Sequence, residues 1–410
     1  MGRRLTRDGW LLFASRFVRM FAYGMLGIVL VFYLTGLGLS ESQTGMLLTL
    51  TLLGDTAVSL VLTTRADRIG RRRMLIAGAA LMTGAGLVFG FTRNFVWLIV
   101  AGTVGVISPS GNEVGPFLPI EQAALSGVIS NRIRTTVFAW YALAGSIATA
   151  SGSLFAGTAT GLMVKAARTP LASQRTIILL YAAFGVALAL VFRALSPRVE
   201  VDGNAQATPG MQSRFGIGAS RGVVLRLCGL FALDAFGGGF VVQSFAAYWF
   251  YLRFGVQPAT LGGIFFGANL FAGFSALLAS RLASRIGLVR TMVFTHLPSN
   301  VLLILVPLMP NLRLAILVLL LRFSISQMDV PTRQSYLMAV VAPEERAAAA
   351  GITGVARTTG AAIAPLFAGL LFAQPALISV PFFIAGTLKI LYDLLLYRSF
   401  VGVQPPRGEA

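Results

Sequence analysis

Arg65-Ala-Asp-Arg-Ile-Gly-Arg-Arg-Arg73 separates two apolar runs, each long enough to cross a bilayer. Five of its nine residues are arginine, and short arginine-rich loops stay on the cytoplasmic side. Gly70 lets the backbone reverse where a Cβ would be costly, and Asp67 is the one acid in the loop. The pattern returns as Ala283-Ser-Arg-Ile-Gly287 with Arg290, which matches Ala66, Arg68, Ile69, Gly70 and Arg73 position for position. A duplicated basic turn in an apolar chain predicts two copies of one helical bundle.

Composition agrees. Mean hydropathy is +0.80. Hydrophobic residues make up 56% of the chain and charged residues 11%, against about 25% charged in soluble domains. The net charge of +19 does not imply nucleic acid, because the arginines punctuate apolar runs and do not gather on one polar domain. Lysine occurs only at 165 and 389, which on codon grounds suggests a GC-rich bacterial genome. Cys228 is the only cysteine, so neither an internal disulfide nor a cysteine metal site is expected. His296 is the only histidine, and a lone histidine inside a helix reads as a packed, hydrogen-bonded residue. The basic stretch from Met1 to Gly9 lacks a small-residue cleavage site and reads as the inner end of an uncleaved first span.

Hydropathy predicts twelve spans, over 10–35, 43–63, 74–91, 95–120, 137–163, 176–194, 223–252, 259–280, 291–309, 314–338, 347–373 and 377–397. This divides the chain into an N-terminal bundle (1–194), a polar linker (195–222), a C-terminal bundle (223–398) and a tail (399–410). Loops assigned to the inside carry about twenty Lys and Arg. Those assigned outside carry Arg93, Lys165, Arg168, Arg175, Arg253 and Arg313, which puts both termini in the cytoplasm. The halves repeat. Phe32-Tyr-Leu34 answers Phe250-Tyr-Leu252, and Gln122 through Leu154-Phe-Ala-Gly157 answers Gln334 through Leu366-Phe-Ala-Gly369 without a gap. Parallel repeats about an axis along the membrane normal are a transporter architecture.

On these residues the sequence resembles the major facilitator superfamily over nearly its whole length. The family motif Gly-x-x-x-Asp-Arg-x-Gly-Arg-Lys/Arg is matched by Asp67, Arg68, Gly70, Arg71 and Arg72. Thr63 replaces its first glycine, and the second copy has Ser284 where the acid would be. The resemblance implies an all-α integral membrane fold of two pseudo-symmetric six-helix bundles, with spans 1, 4, 7 and 10 lining a central cavity. It also implies that Asp67 sits against the start of span 11, near Ala347, as part of an inner gate with Arg71 or Arg72.

Each intramembrane charge needs a reason, since insertion of one at a helix centre costs about 2.5–3.5 kcal/mol. Most fall on those four spans: Arg16 and Arg19; Glu113 and Glu121; Asp234; Arg322, Asp329 and Arg333. Arg322, Ser326, Asp329 and Arg333 would form one helical stripe, with Asp329 and Arg333 able to pair across a bend at Pro331. Span 4 interleaves Pro109, Pro116 and Pro119 with Gly105, Gly111 and Gly115 and is expected to be broken, carrying Glu113 at the break. Asp55 in span 2 is a proton-carrier candidate or one half of a salt bridge to Arg19 or Arg357. Lys389 and Asp393, at i and i+4, read as a structural pair.

The expectation is a monomeric secondary active transporter that moves a small molecule across the membrane by alternating access, driven by a proton gradient. Its cavity residues would be Arg19, Asp55, Glu113, Asp234, Arg322, Asp329 and Arg333. Efflux of the drug/proton antiporter kind is the leading reading, in a bacterial inner membrane. An organic-anion carrier using the arginines is the alternative, and a non-transporting membrane sensor a third. No P-loop pattern or nucleophile–base set suggests a pump or an enzyme, and no cofactor or metal is expected.

Overall fold

The computed structural model describes residues 5–111, 115–129, 134–200, 218, 220–342 and 345–402. Fifteen α-helices are present among them: α1 (Arg7–Gly36), α2 (Glu41–Ile69), α3 (Arg71–Phe91), α4 (Phe95–Val104), α5 (Phe117–Val128), α6 (Arg134–Lys165), α7 (Pro170–Arg193), α8 (Arg221–Gly239), α9 (Gln243–Phe254), α10 (Pro258–Ile286), α11 (Leu288–Leu305), α12 (Leu312–Phe323), α13 (Asp329–Val340), α14 (Arg346–Phe372) and α15 (Val380–Phe400). Ten stretches are long and apolar enough to cross a membrane, counting α8 and α9 as one. The fourth and tenth expected spans are instead each built from two short helices, α4 with α5 and α12 with α13.

Local chemistry sets the ends. Ser40 caps α2 in a reciprocal box: its hydroxyl accepts from the Gln43 amide at 3.2 Å, and the Gln43 side chain accepts from the Ser40 amide at 3.0 Å. Thr169 caps α7 with Pro170 following, where a missing N–H costs nothing. Gly70 closes α2 and opens α3 at φ +116°, and Gly287 does the same between α10 and α11 at φ +88°. The repeated turn is therefore the same backbone device twice.

Helix contacts group the chain into two compact units, Met1–Gln206 with Val242–Asn269, and Ala207–Val241 with Leu270–Ala410. This grouping differs from the division expected at 195–222, because the outer part of the seventh span and the first half of α10 cluster with the first unit. The reason is α1. It is buried along most of its length and packs on α6, α7 and α9. Small residues allow the close crossings: Ser153 Oγ donates to the Gly24 carbonyl at 3.2 Å, and Gly157 backs onto Gly262. In the second unit α8 packs on α14 and α15, around a core that includes Leu227, Phe231, Met292, Tyr336 and Leu396.

The breaks have different causes. In span 4 the proline and glycine pattern holds: Gly111 and Gly115 take φ +66° and +84°, and the carbonyls released there find donors. Tyr181 Oη donates to the Val106 carbonyl, and Thr149 Oγ1 reaches that of Gly111 at 3.4 Å. Span 7 breaks after Gly237-Gly238-Gly239, at residues 240–242. Span 10 breaks at 324–328, ahead of Asp329 and not at Pro331. Pro331 lies in the first turn of α13, where its absent N–H has no partner to lose. The expected stripe from Arg322 to Arg333 is thus cut in two.

Candidate functional site: two buried charge networks

Each unit holds a buried network on its broken spans. In the first, Arg19 and Glu121 are both fully buried and meet as a fork: Nη1 to Oε1 and Nη2 to Oε2, each 2.7 Å. Ser15 Oγ donates to Glu121 Oε1 at 2.7 Å, and Tyr141 Oη donates to Oε2. The Arg19 guanidinium lies over Phe117 at 4.8 Å, and Arg16 lies over Tyr141 at 4.5 Å. Arg19, expected to face a cavity, is fully buried against Glu121.

Asp55 is buried, and its Oδ2 accepts from the Gly115 amide at 2.9 Å, which secures the end of the span-4 break. The expected pairing with Arg19 is not made, because Glu121 holds that arginine. Glu113 lies outside the described residues.

The second network joins four helices. Asp234 on α8 accepts from Lys389 Nζ at 2.6 Å through Oδ1 and from Arg333 Nη1 at 3.2 Å through Oδ2. Arg333 also reaches Asp329 at 3.0 Å, the one expected i, i+4 pair that forms. Lys389 and Asp393 do not pair as expected. Lysine turns to Asp234, while Asp393 takes His296 Nδ1 at 2.9 Å and Asn300 Nδ2 at 2.9 Å. His296 Nε2 lies 3.7 Å from Asp234 Oδ1. The histidine is packed and hydrogen-bonded, as read from sequence, but at the centre of the charge cluster. Asp234, Asp329 and Arg333 lie together; Arg322, past the break, approaches them without a hydrogen bond or ion pair among the described residues.

The sequence repeat pairs Gln122 with Gln334, so Glu121 and Arg333 occupy equivalent places. Both units thus close an ion pair between the first and fourth spans of the repeat, with the signs reversed. The second unit adds Lys389, Asp393, His296 and Asn300, which sequence reasoning left out of the site. The signal for them was present: four polar residues spaced by four on two apolar helices.

The basic turn engages its own unit. Arg71 Nε holds Asp67 at 2.8 Å, and Asp67 is exposed. The amides of Arg71 and Arg72 donate to Glu200 at 2.6 and 3.1 Å, so a carboxylate from beyond α7 sits on the positive end of α3. Arg72 also donates to the Arg193 carbonyl at 2.5 Å. Glu345 plays the same part for the start of α8, accepting from Gly218 and Ser220 at 2.7 and 3.0 Å. Replacing Glu200 by alanine should cost about 1 kcal/mol and speed hydrogen exchange at the Arg71 and Arg72 amides. Unchanged exchange there would show that solvent serves the helix end equally well.

Residues 12–326 match the family model described as Major Facilitator Superfamily. The chain belongs to that superfamily. It is a secondary transporter of small molecules, an integral membrane protein and not an enzyme. It is similar to the uncharacterized membrane protein YJR124C of Saccharomyces cerevisiae, at 33% identity over 97% of this chain and 95% of that one. Among solved structures it resembles the nucleoside transporter NupG at TM-score 0.73 and 12% identity, over 96% of this chain and 99% of that one. A bacterial homolog of the human lysosomal transporter Spinster gives 0.70 and 15%, over 96% and 95%. At such identities these two likenesses show the fold alone.

Proposed function

We propose that this transporter couples cargo to protons through the His296–Asp393–Asp234 cluster. The supporting observation is that each ring nitrogen of His296 faces a carboxylate, Asp393 at 2.9 Å and Asp234 at 3.7 Å. Imidazolium would satisfy both, whereas the neutral ring offers one N–H to two acids. Around the ring stand Asn300 on its own helix, Asp234 from α8, Asp329 from α13, and Lys389 and Tyr392 from α15. Asp234 keeps its place among the proton candidates. Asp55 is occupied by the span-4 backbone.

Protonation at this cluster drives export when proton and cargo bind in alternation, and import when they bind together. The efflux reading, including the drug/proton antiporter subtype, rests on family prevalence alone and has no residue of its own in the second network. The same holds for the bacterial inner membrane, inferred from scarce lysine; the yeast relative gives it no support. Cytoplasmic termini rest on the arginine census, and a monomer on each network closing within its own unit.

The test uses the full chain in proteoliposomes, with a cargo found by thermal-shift screening. An imposed pH gradient should concentrate that cargo. His296→Gln and Asp393→Asn should slow gradient-driven flux by about tenfold or more while leaving cargo–cargo exchange intact. Gradient-driven flux at the wild-type rate in both variants would overturn the assignment.

A further inference from the structure

Acceptors in the second network are almost all taken. Asp234 spends one oxygen on Lys389 and the other on Arg333, and Asp393 spends its two on His296 and Asn300. Asp329 Oδ2 is held by Arg333. Two more arginines approach the same acids. Arg322, in the last turn of α12, and Arg357, in α14, both interact with Asp234 and Asp329, and Arg357 also feels the like charge of Arg333. Each is half-buried, yet its Nε is sealed from solvent and has no hydrogen-bond partner. Neither makes an ion pair with any described residue. Among the described residues, four permanent cations (Arg322, Arg333, Arg357 and Lys389) therefore share three carboxylates (Asp234, Asp329 and Asp393), before His296 is counted.

A guanidinium whose Nε is sealed from water without an acceptor is costly, and the group that suits its planar fork is a carboxylate or phosphate. We infer that Arg322 and Arg357 bind the anionic group of the transported solute. Arg333 and Lys389 are spent on the network and hold its acids in place, so that the outer two arginines keep their charge for a ligand. This deepens the proposed function by naming a substrate class and rests on the second-unit network being the working site. It differs from the arginine set expected from sequence, because Arg19 and Arg333 are committed elsewhere and Arg357 takes their place.

The full chain in phosphatidylcholine nanodiscs is unfolded thermally with benzoate, phenyl phosphate and inorganic phosphate, each set against benzamide or benzyl alcohol. At least one acid should raise the midpoint above its neutral partner. Arg322→Gln and Arg357→Gln should each weaken that acid about tenfold or more, with Lys variants intermediate and an exposed-site control, Arg198→Gln, unchanged. Melting without ligand shows that the variants are folded. Repeating the series in phosphatidylglycerol distinguishes the source: loss of the acid effect there assigns the site to a lipid phosphate, the same chemistry. No preference for any acid over its neutral partner in wild type overturns the inference, as does undiminished acid binding in both variants. An acid preference in wild type together with wild-type gradient-driven flux in His296→Gln and Asp393→Asn leaves this site standing while the proton reading fails. Intact gradient coupling without any acid preference removes this site alone.

Discussion

Glu121→Gln should lower the thermal stability of the full chain by about 3–5 kcal/mol, because it strands a fully buried arginine. Arg19 would keep at most one hydrogen bond from this fork, to a neutral amide oxygen, and would lose the carboxylate charge that balances it. Glutamine keeps one oxygen for Ser15 or Tyr141, its NH2 can donate to the other hydroxyl, and its volume is unchanged, so the loss reports charge more than packing. A double variant, Arg19→Met with Glu121→Met, should recover most of the stability, since buried pairs replaced by apolar groups of like volume are often neutral or better. A single variant as stable as wild type would mean the pair is solvated in the working protein, which would return Arg19 to the list of cavity residues.

Gly152→Ala should be as damaging by a different route. A Cβ there would lie 2.0 Å from the Phe21 carbonyl oxygen, and one at Gly24 would lie 2.2 Å from that of Thr149. These are backbone atoms of the α1–α6 crossing, so no rotamer change relieves the clash and the helices must separate. The expected cost is roughly 3 kcal/mol or more, read as loss of monodisperse protein and a lowered melting midpoint. Gly229→Ala in α8 makes the contrast. Its Cβ meets nothing within 4 Å, and removing a helix-interior glycine should stabilise by about 0.5–1 kcal/mol. Equal effects at the two positions would refute a crossing held by close backbone approach.

Part of this was legible in the residues. The basic turn, its copy at Gly287 and the break in span 4 follow from glycine and proline, whose backbone limits act locally. So does the Asp329–Arg333 pair, which needs only helical spacing. The charges on spans 1, 4, 7 and 10 marked helices that carry buried ion pairs, yet not which partners they would take. Lys389 and Asp393 show why. Spacing made them neighbours, but buried ions go to whichever opposite charge the tertiary fold brings nearest, and Asp234 and His296 were nearer. The break at 324–328 carries neither glycine nor proline, so nothing in Ser-Ile-Ser-Gln-Met announced it. His296 was read correctly as hydrogen-bonded and missed as a member of the charge cluster, because a lone histidine shows its neighbours only in the fold.

The two ion networks differ in when they can be completed during synthesis. Glu121 follows Arg19 by 102 residues, so the first unit's pair closes while its own half is still being inserted. Asp234 leaves the ribosome 99 residues before Arg333 and 155 before Lys389, which lies on the last helix. Until Arg333 emerges that carboxylate is unmatched, at a cost of about 2.5–3.5 kcal/mol if it enters the lipid interior, and Lys389 completes its second oxygen only with the last helix. Nascent chains cut before residue 333 should therefore hold the seventh span in the insertion machinery, and chains cut between 333 and 389 should release it with one of the two Asp234 ion pairs still open.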